Sequence, residues 1–238
     1  MLHSLTKTDN GNTKIKKTAK TLVNGQNVRV LSLSMLPDDE ICPARWLAQC
    51  ALDCLRDSGR GVMRNVIAGR QARTDLWHED RDLFLSMLKK ELRQHIKTSS
   101  KQGLLPVARL NVLSDIQWEK FIDFEGEFSE LFAYDYTKLP GRLGKTPENY
   151  QLMFSYSKAE AYQSQVKRAR KTGAPMTVVF RNGLPKTFLG LEVFDGDISD
   201  LDNLKQLGKV VGLRVKGNDA KKSDSPFIVN NPDLIAVA

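Results

Sequence analysis

Cys42, Cys50 and Cys54 are the chain's three cysteines, and they fall within thirteen residues, Ile41-Cys-Pro-Ala-Arg-Trp-Leu-Ala-Gln-Cys-Ala-Leu-Asp-Cys54. Thiolates hold zinc and iron-sulfur clusters. A helix is predicted from about Pro43 to Arg56, which would put Cys50 and Cys54, four apart, on one face. Cys42 lies upstream in a loop opened by Pro37-Asp38-Asp39 that can fold back toward them. Three thiolates without a fourth suit a cluster with one open iron. With His78 as a fourth ligand they would suit zinc instead. The plain alternative is two buried small apolar residues and an incidental third.

A second constellation is Asp195-Gly196-Asp197-Ile198-Ser199-Asp200, whose carboxylates could hold Mg²⁺ or Ca²⁺. The competing and favoured reading is an acidic turn, with Gly196 at positive φ and Asp side chains closing Asx-turns. Arg214 to Ser225 forms a basic, Gly-containing loop in which Lys216 and backbone N–H groups could take a phosphate or carboxylate. The sequence contains no G-x-x-x-x-G-K-[ST], no G-x-G-x-x-G and no H-E-x-x-H. Nor does a histidine stand at a suggestive position beside a Ser or Cys nucleophile, so triad hydrolysis and P-loop chemistry are disfavoured.

The elements that must position these groups alternate. Strands are predicted over 28–34, 107–113, 130–136, 150–156, 176–180 and 209–215, with helices over 43–56, 74–97, 118–124 and 158–171. Strand-helix alternation implies parallel pairing with right-handed crossovers, hence an α/β fold. The expected architecture is a partial (βα)6 TIM-like barrel, a single domain over 21–238 behind a disordered basic arm at 1–20. Ser114, Asp115, Asp135, Lys138, Ser155, Arg214 and Lys216 follow or end these strands, where α/β folds gather their sites. Asp135 would need a basic partner such as Arg109 or Lys138, or a polar cavity, because an unpaired buried carboxylate is costly. Tyr134, Tyr136, Tyr150 and Tyr156 read as packing rather than base stacking.

The formal net charge of +8 and a pI near 9.4 favour polyanionic partners, nucleic acid among them. Arg60, Arg64, Arg70 and Arg73, with the Lys-rich ends, would be the phosphate contacts. No apolar run reaches the length of a membrane span and no apolar leader is apparent, so a cytoplasmic protein is expected.

The six βα units with three cysteines after the first strand resemble the partial barrel of radical S-adenosylmethionine enzymes. That resemblance implies a [4Fe-4S] cluster on Cys42, Cys50 and Cys54, with S-adenosylmethionine on the fourth iron. Ser114, Ser155, Arg214 and Lys216 would then grip the cofactor, and Asp115, Asp135 and Lys138 would act on an unspecified substrate. The spacing here is C-x7-C-x3-C, whereas those enzymes use C-x3-C-x2-C. Across most of its length the chain also resembles a phage-encoded family, the gene-product-88-like group. The matching residues are the Cys-Pro…Cys…Cys segment, Arg109 to Asp115, Ala133 to Lys138, Asn149 to Ser155, Asp195 to Asp200 and Val210 to Gly217. This second resemblance implies a phage or prophage origin and a place in the infected host's cytoplasm, without a settled activity. The alternative function is a non-catalytic nucleic-acid-binding or host-modulating protein whose cysteines hold zinc or nothing.

Overall fold

A computed structural model describes residues 4–8, 13–54 and 59–231. The chain gathers into two compact units. The first comprises Met1–Cys42, Met63–Asp135 and Thr146–Gln151, and the second Pro43–Val62, Tyr136–Lys145 and Leu152–Ala238.

The first unit holds β1 (Thr6–Thr8), α1 (Thr13–Thr18), β2 (Leu22–Val23), β3 (Gln26–Leu33), α2 (Arg64–Glu79), α3 (Arg81–Lys101), β4 (Leu105–Arg109) and most of β5 (Phe132–Thr137). β3 pairs parallel with β4 over Val28–Ser32, and β4 pairs parallel with β5. β1 lies antiparallel on β3. Within the arm expected at 1–20, residues 4–8 and 13–20 are placed, with Leu5 and Ile15 buried, while 1–3 and 9–12 lie outside the described residues. Glu91 accounts for β1: its carboxylate accepts the backbone N–H groups of Leu5 (2.7 Å) and Thr6 (2.9 Å) and the Thr6 hydroxyl.

The predicted helix over 74–97 is two helices. Asp80 breaks it with extended backbone, and its carboxylate caps α3 by accepting the Leu83 N–H. Arg64, Arg70 and Arg73 lie on α2. α3 buries Phe84, Leu88, Leu92, His95, Ile96 and Ser99, a single stripe at helical spacing. Trp77 sets its edge or face against Phe84, Trp118 and Phe121 at 5.3–5.6 Å, closing this core.

His95 bridges two strands: its Nε2–H donates to the carbonyls of Arg29 and Val107, each at 3.1 Å. Nδ1 is buried without a hydrogen-bond partner among the described residues. Burial, followed by the Arg29 charge, pushes the imidazole down from 6.5 to about 4. Between those values the unfolded chain binds the extra proton, so stability rises with pH through the window and is lost as pH falls from 6.5 toward 4. A loss of about 2 kcal/mol from pH 7.5 to pH 5 is expected from this group, and His95→Leu should remove it. Urea midpoints at the two pH values read the difference.

The second unit holds the end of β6 (Tyr150–Ser155), α4 (Gln163–Arg170), β7 (Met176–Arg181), β8 (Thr187–Phe188), β9 (Leu191–Asp195), α5 (Asp200–Leu204), β10 (Val210–Arg214), α6 (Asn218–Lys222) and β11 (Ile228–Asn230). β7 is central. β10 pairs with it parallel over Met176–Phe180, and β9 follows parallel on β10. On its other edge β7 pairs with β6 only at Met176 and Thr177, and then with β11 from Val179 to Arg181. β8 and β9 form an antiparallel hairpin. The architecture is thus mixed α/β with mostly parallel strands, as expected. Five strands (β1, β2, β8, β9 and β11) are additional to the six predicted. Among the described residues, the sheet closes on itself within neither unit.

Candidate functional site

The cysteine segment does not form the predicted helix. Residues 43–53 run through turns, Gln49 takes a left-handed φ of 51°, and residues 55–58 lie outside the described residues. The Ser225 hydroxyl donates to the Gln49 carbonyl at 2.6 Å, and the Cys50 N–H reaches back five residues to the Arg45 carbonyl. Cys50 and Cys54 therefore share no helix face. Cys42 and Cys50 are buried, and the Cys50 thiol donates to the Arg45 carbonyl at 3.6 Å. Among the described residues no three His, Cys, Asp or Glu side chains meet as a metal-binding group. Among the described residues no donor set for the expected iron-sulfur cluster or zinc is assembled. His78 faces carboxylates: its Nε2 lies 2.7 Å from Asp38 and its Nδ1 3.2 Å from Glu40.

Asp135 is fully buried in the first unit. It accepts the Asn111 N–H (2.6 Å), the Asn111 side-chain amide (3.3 Å) and the Tyr150 hydroxyl (2.9 Å). Asn111 in turn accepts the Ser114 hydroxyl, the Ile116 N–H and the Trp118 indole N–H, and donates to the Ile116 carbonyl. These bonds hold the chain after β4 as a loop, so only a single 3₁₀ turn at Trp118–Lys120 replaces the predicted helix over 118–124. Asp115 is buried beside them, with its N–H on the Ile41 carbonyl at 2.7 Å. Ser114, Asp115 and Asp135 were legible in the sequence; Asn111 was not, since its amide fell inside the strand predicted over 107–113, which ends at Arg109. Ser114 bonds Asn111 and Asn111 bonds Asp135, an arrangement that works as a structural staple.

In the second unit Lys138 and Ser155 come together, Nζ to Oγ at 3.4 Å, with the ammonium 5.3 Å from the centre of the Phe227 ring. Arg214 and Lys216, expected to grip a cofactor, turn onto the acidic motif. Arg214 donates to both Asp195 oxygens at 2.9 Å and to Asp197 at 3.2 Å, and Lys216 lies 3.3 Å from Asp197. Burial pushes the Asp197 carboxyl up, but the Arg214 N–H and the Lys216 charge outweigh it and hold the group below its ordinary value. Asp200 is buried and accepts the Tyr136 hydroxyl at 2.5 Å. The motif is the acidic turn, with the Asp197 N–H closing an Asx-turn on Asp195. Gly196 serves close packing and does not have the positive φ expected: a Cβ there would collide with Val211 Cγ1 and come within 3.0 Å of Leu213 Cδ2. Gly196→Ala should therefore cost about 2–3 kcal/mol by overpacking, read as a lowered urea midpoint.

The basic residues separate into two groups. Arg70 donates to the Ser34 hydroxyl, and Arg73 to the Ser34 and Gly69 carbonyls, so two of the four expected phosphate contacts brace backbone and loop instead. Arg60 and Arg64 are exposed. The segment from Lys158 to Lys171 carries five basic residues against one acidic. α4 turns Val166 and Ala169 inward, and Ser164, Lys167, Arg168 and the capping Lys171 share the opposite, exposed face. Among the described residues, Lys167, Arg168 and Lys171 meet no carboxylate; Arg168 has only the Gln165 amide, at 3.4 Å.

A family model described as gene product 88 matches residues 3–231. The chain belongs to the gene product 88 family. The match supports the phage origin expected from the sequence and assigns family members no chemistry. No curated protein and no solved structure matches the chain. Among the described residues no helix is long and apolar enough to cross a membrane.

Proposed function

We propose that this chain is a phage nucleic-acid-binding protein and that α4 presents its phosphate-contacting face. The observation that carries the reading is the unopposed charge of Lys167, Arg168 and Lys171. Several other cations are neutralised: Arg81 by Glu40, Arg93 by Glu127, Lys209 by Glu192 and Arg214 by Asp195. A solvated charged face is the usual meaning of such a run. A face of three cations within one turn and without counter-charges matches phosphates spaced along a strand, because side chains three and four apart stand about 5–6 Å from one another. The first unit supplies a second such row on α3, with Lys90, Lys97 and Lys101 exposed on the side opposite its buried stripe and without a carboxylate partner among the described residues.

The iron-sulfur and S-adenosylmethionine reading is carried no further, since among the described residues no three His, Cys, Asp or Glu side chains form a metal-binding group. The barrel reading rests on the consecutive parallel order of β3, β4 and β5 in one unit and of β6 and β7 in the other.

The test is binding of a 12-nucleotide DNA strand and a 12-base-pair duplex to the full chain between 50 and 200 mM salt. The affinity should fall steeply with salt as condensed counterions are released. No binding at 50 mM salt would end the proposal.

A further inference from the structure

The edge of β7 changes partner part-way along, from β6 at Thr177 to β11 at Val179. After Ser155 the Tyr156 N–H still donates to the Thr177 carbonyl at 2.9 Å, and the Lys158 N–H is then caught by the Pro226 carbonyl at 3.0 Å. A cavity of about 440 Å³ opens where the partners change, at the carboxyl ends of β7 and β11, with Lys158, Arg181, Asn182, Asp224, Ser225 and Asn230 in its lining. It lies wholly within the second unit. Partner changes at strand carboxyl ends are where α/β sheets bind ligands, and this volume falls in the range that holds small molecules.

The side chains divide by role. Arg181 is wall: its guanidinium donates to the Lys221 and Ser223 carbonyls and to Asn230 Oδ1. Ser225 is likewise engaged, donating to Gln49 and accepting from the Phe227 N–H. Four polar groups keep bonding capacity: the Lys158 ammonium, the Asn182 amide, the Asp224 carboxylate and the Asn230 NH₂. A metal ion does not suit a lining with two cations. A bare phosphate has no use for Asp224, because a carboxylate accepts and cannot donate. A ligand carrying an anion together with hydroxyl and amino donors uses all four.

We propose that this cavity binds one nucleotide, with Lys158 on the phosphate, Asp224 on sugar hydroxyls or a base amino group, and Asn182 and Asn230 on the base edge. This rests on the nucleic-acid reading and adds to it a seat for a single unpaired residue of the strand.

The test is calorimetric titration of the full chain with each of the four ribonucleoside and four deoxyribonucleoside monophosphates, with inorganic phosphate and with the 12-nucleotide strand. The variants are Lys158→Gln and Asn182→Gly. Lys158 is on the surface, and glycine keeps the left-handed backbone of Asn182 (φ 59°) while deleting its amide, so both should fold. At least one monophosphate should bind saturably and tighter than inorganic phosphate, and each variant should weaken it by about tenfold, the size of one hydrogen bond. Inorganic phosphate binding as tightly as every monophosphate, or unchanged affinity in both variants, would overturn the proposal. Strand binding without any monophosphate binding would remove the nucleotide seat and leave the polyanion reading standing. Failure of both would remove both.

Discussion

Replacing Asp135 with alanine is expected to destabilise the protein by about 4 kcal/mol, the largest single-residue effect in the first unit. Three donors converge on this fully buried carboxylate: the Asn111 N–H, the Asn111 amide and the Tyr150 hydroxyl. Truncation strands each of them away from water, at roughly 1–3 kcal/mol apiece. The effect should propagate, because Asn111 also holds Ser114, Ile116 and Trp118, and Trp118 packs on Trp77. Folded domains are stable by only about 5–15 kcal/mol, so the variant should be marginal at physiological temperature. Asp135→Asn keeps one acceptor oxygen but turns an NH₂ toward donors, and should fall between alanine and wild type. Urea unfolding checks this through the midpoint at constant slope. An alanine variant within about 1 kcal/mol of wild type would mean that the staple is dispensable.

The largest expected effect on binding is that of the triple variant Lys167→Gln, Arg168→Gln, Lys171→Gln. These residues lie on the exposed face of α4. Among the described residues they have no partner whose loss would disturb the fold beyond the 3.4 Å contact of Arg168 with Gln165. Stability should therefore stay within about 0.5 kcal/mol of wild type, as for surface substitutions generally. Removing three phosphate contacts forfeits the release of about 2–3 counterions, on the order of a 100-fold loss of affinity near 0.1 M salt. The same three substitutions on α3, at Lys90, Lys97 and Lys101, give a like-for-like comparison between the two basic rows.

The six predicted strands all exist, because apolar β-branched runs such as Val107 to Leu113 or Met176 to Phe180 leave little else to form. Their limits shifted where side-chain chemistry ends pairing: β4 stops at Arg109, and Asn111 organises the loop beyond it. The cysteine segment misled for a different reason. Its residues are good helix formers by type, but the backbone turns left-handed at Gln49, and its carbonyl is held by Ser225, which is 176 positions away in sequence. No local pattern carries such a bond. β1 was hidden by polar composition, since Thr6 to Thr8 are ordered by Glu91 from α3 rather than by their own hydrophobicity. The acidic motif was legible as a turn, yet the reason for Gly196 lay in the neighbouring strand, where Val211 leaves no room for a Cβ. Charge alone did not separate Arg70 and Arg73, which brace Ser34, from Lys167 and Lys171, which face outward. That distinction needed the fold.

The most direct measurement of the central claim is the slope of log K against log salt for the 12-base-pair duplex, on wild type and on the α4 triple variant. If α4 is the phosphate-contacting face, the variant's slope should be shallower by about 2–3, since each contact contributes about 0.9. Equal slopes and equal affinities for the two proteins would contradict it, and the charge of α4 would then be a solvated surface.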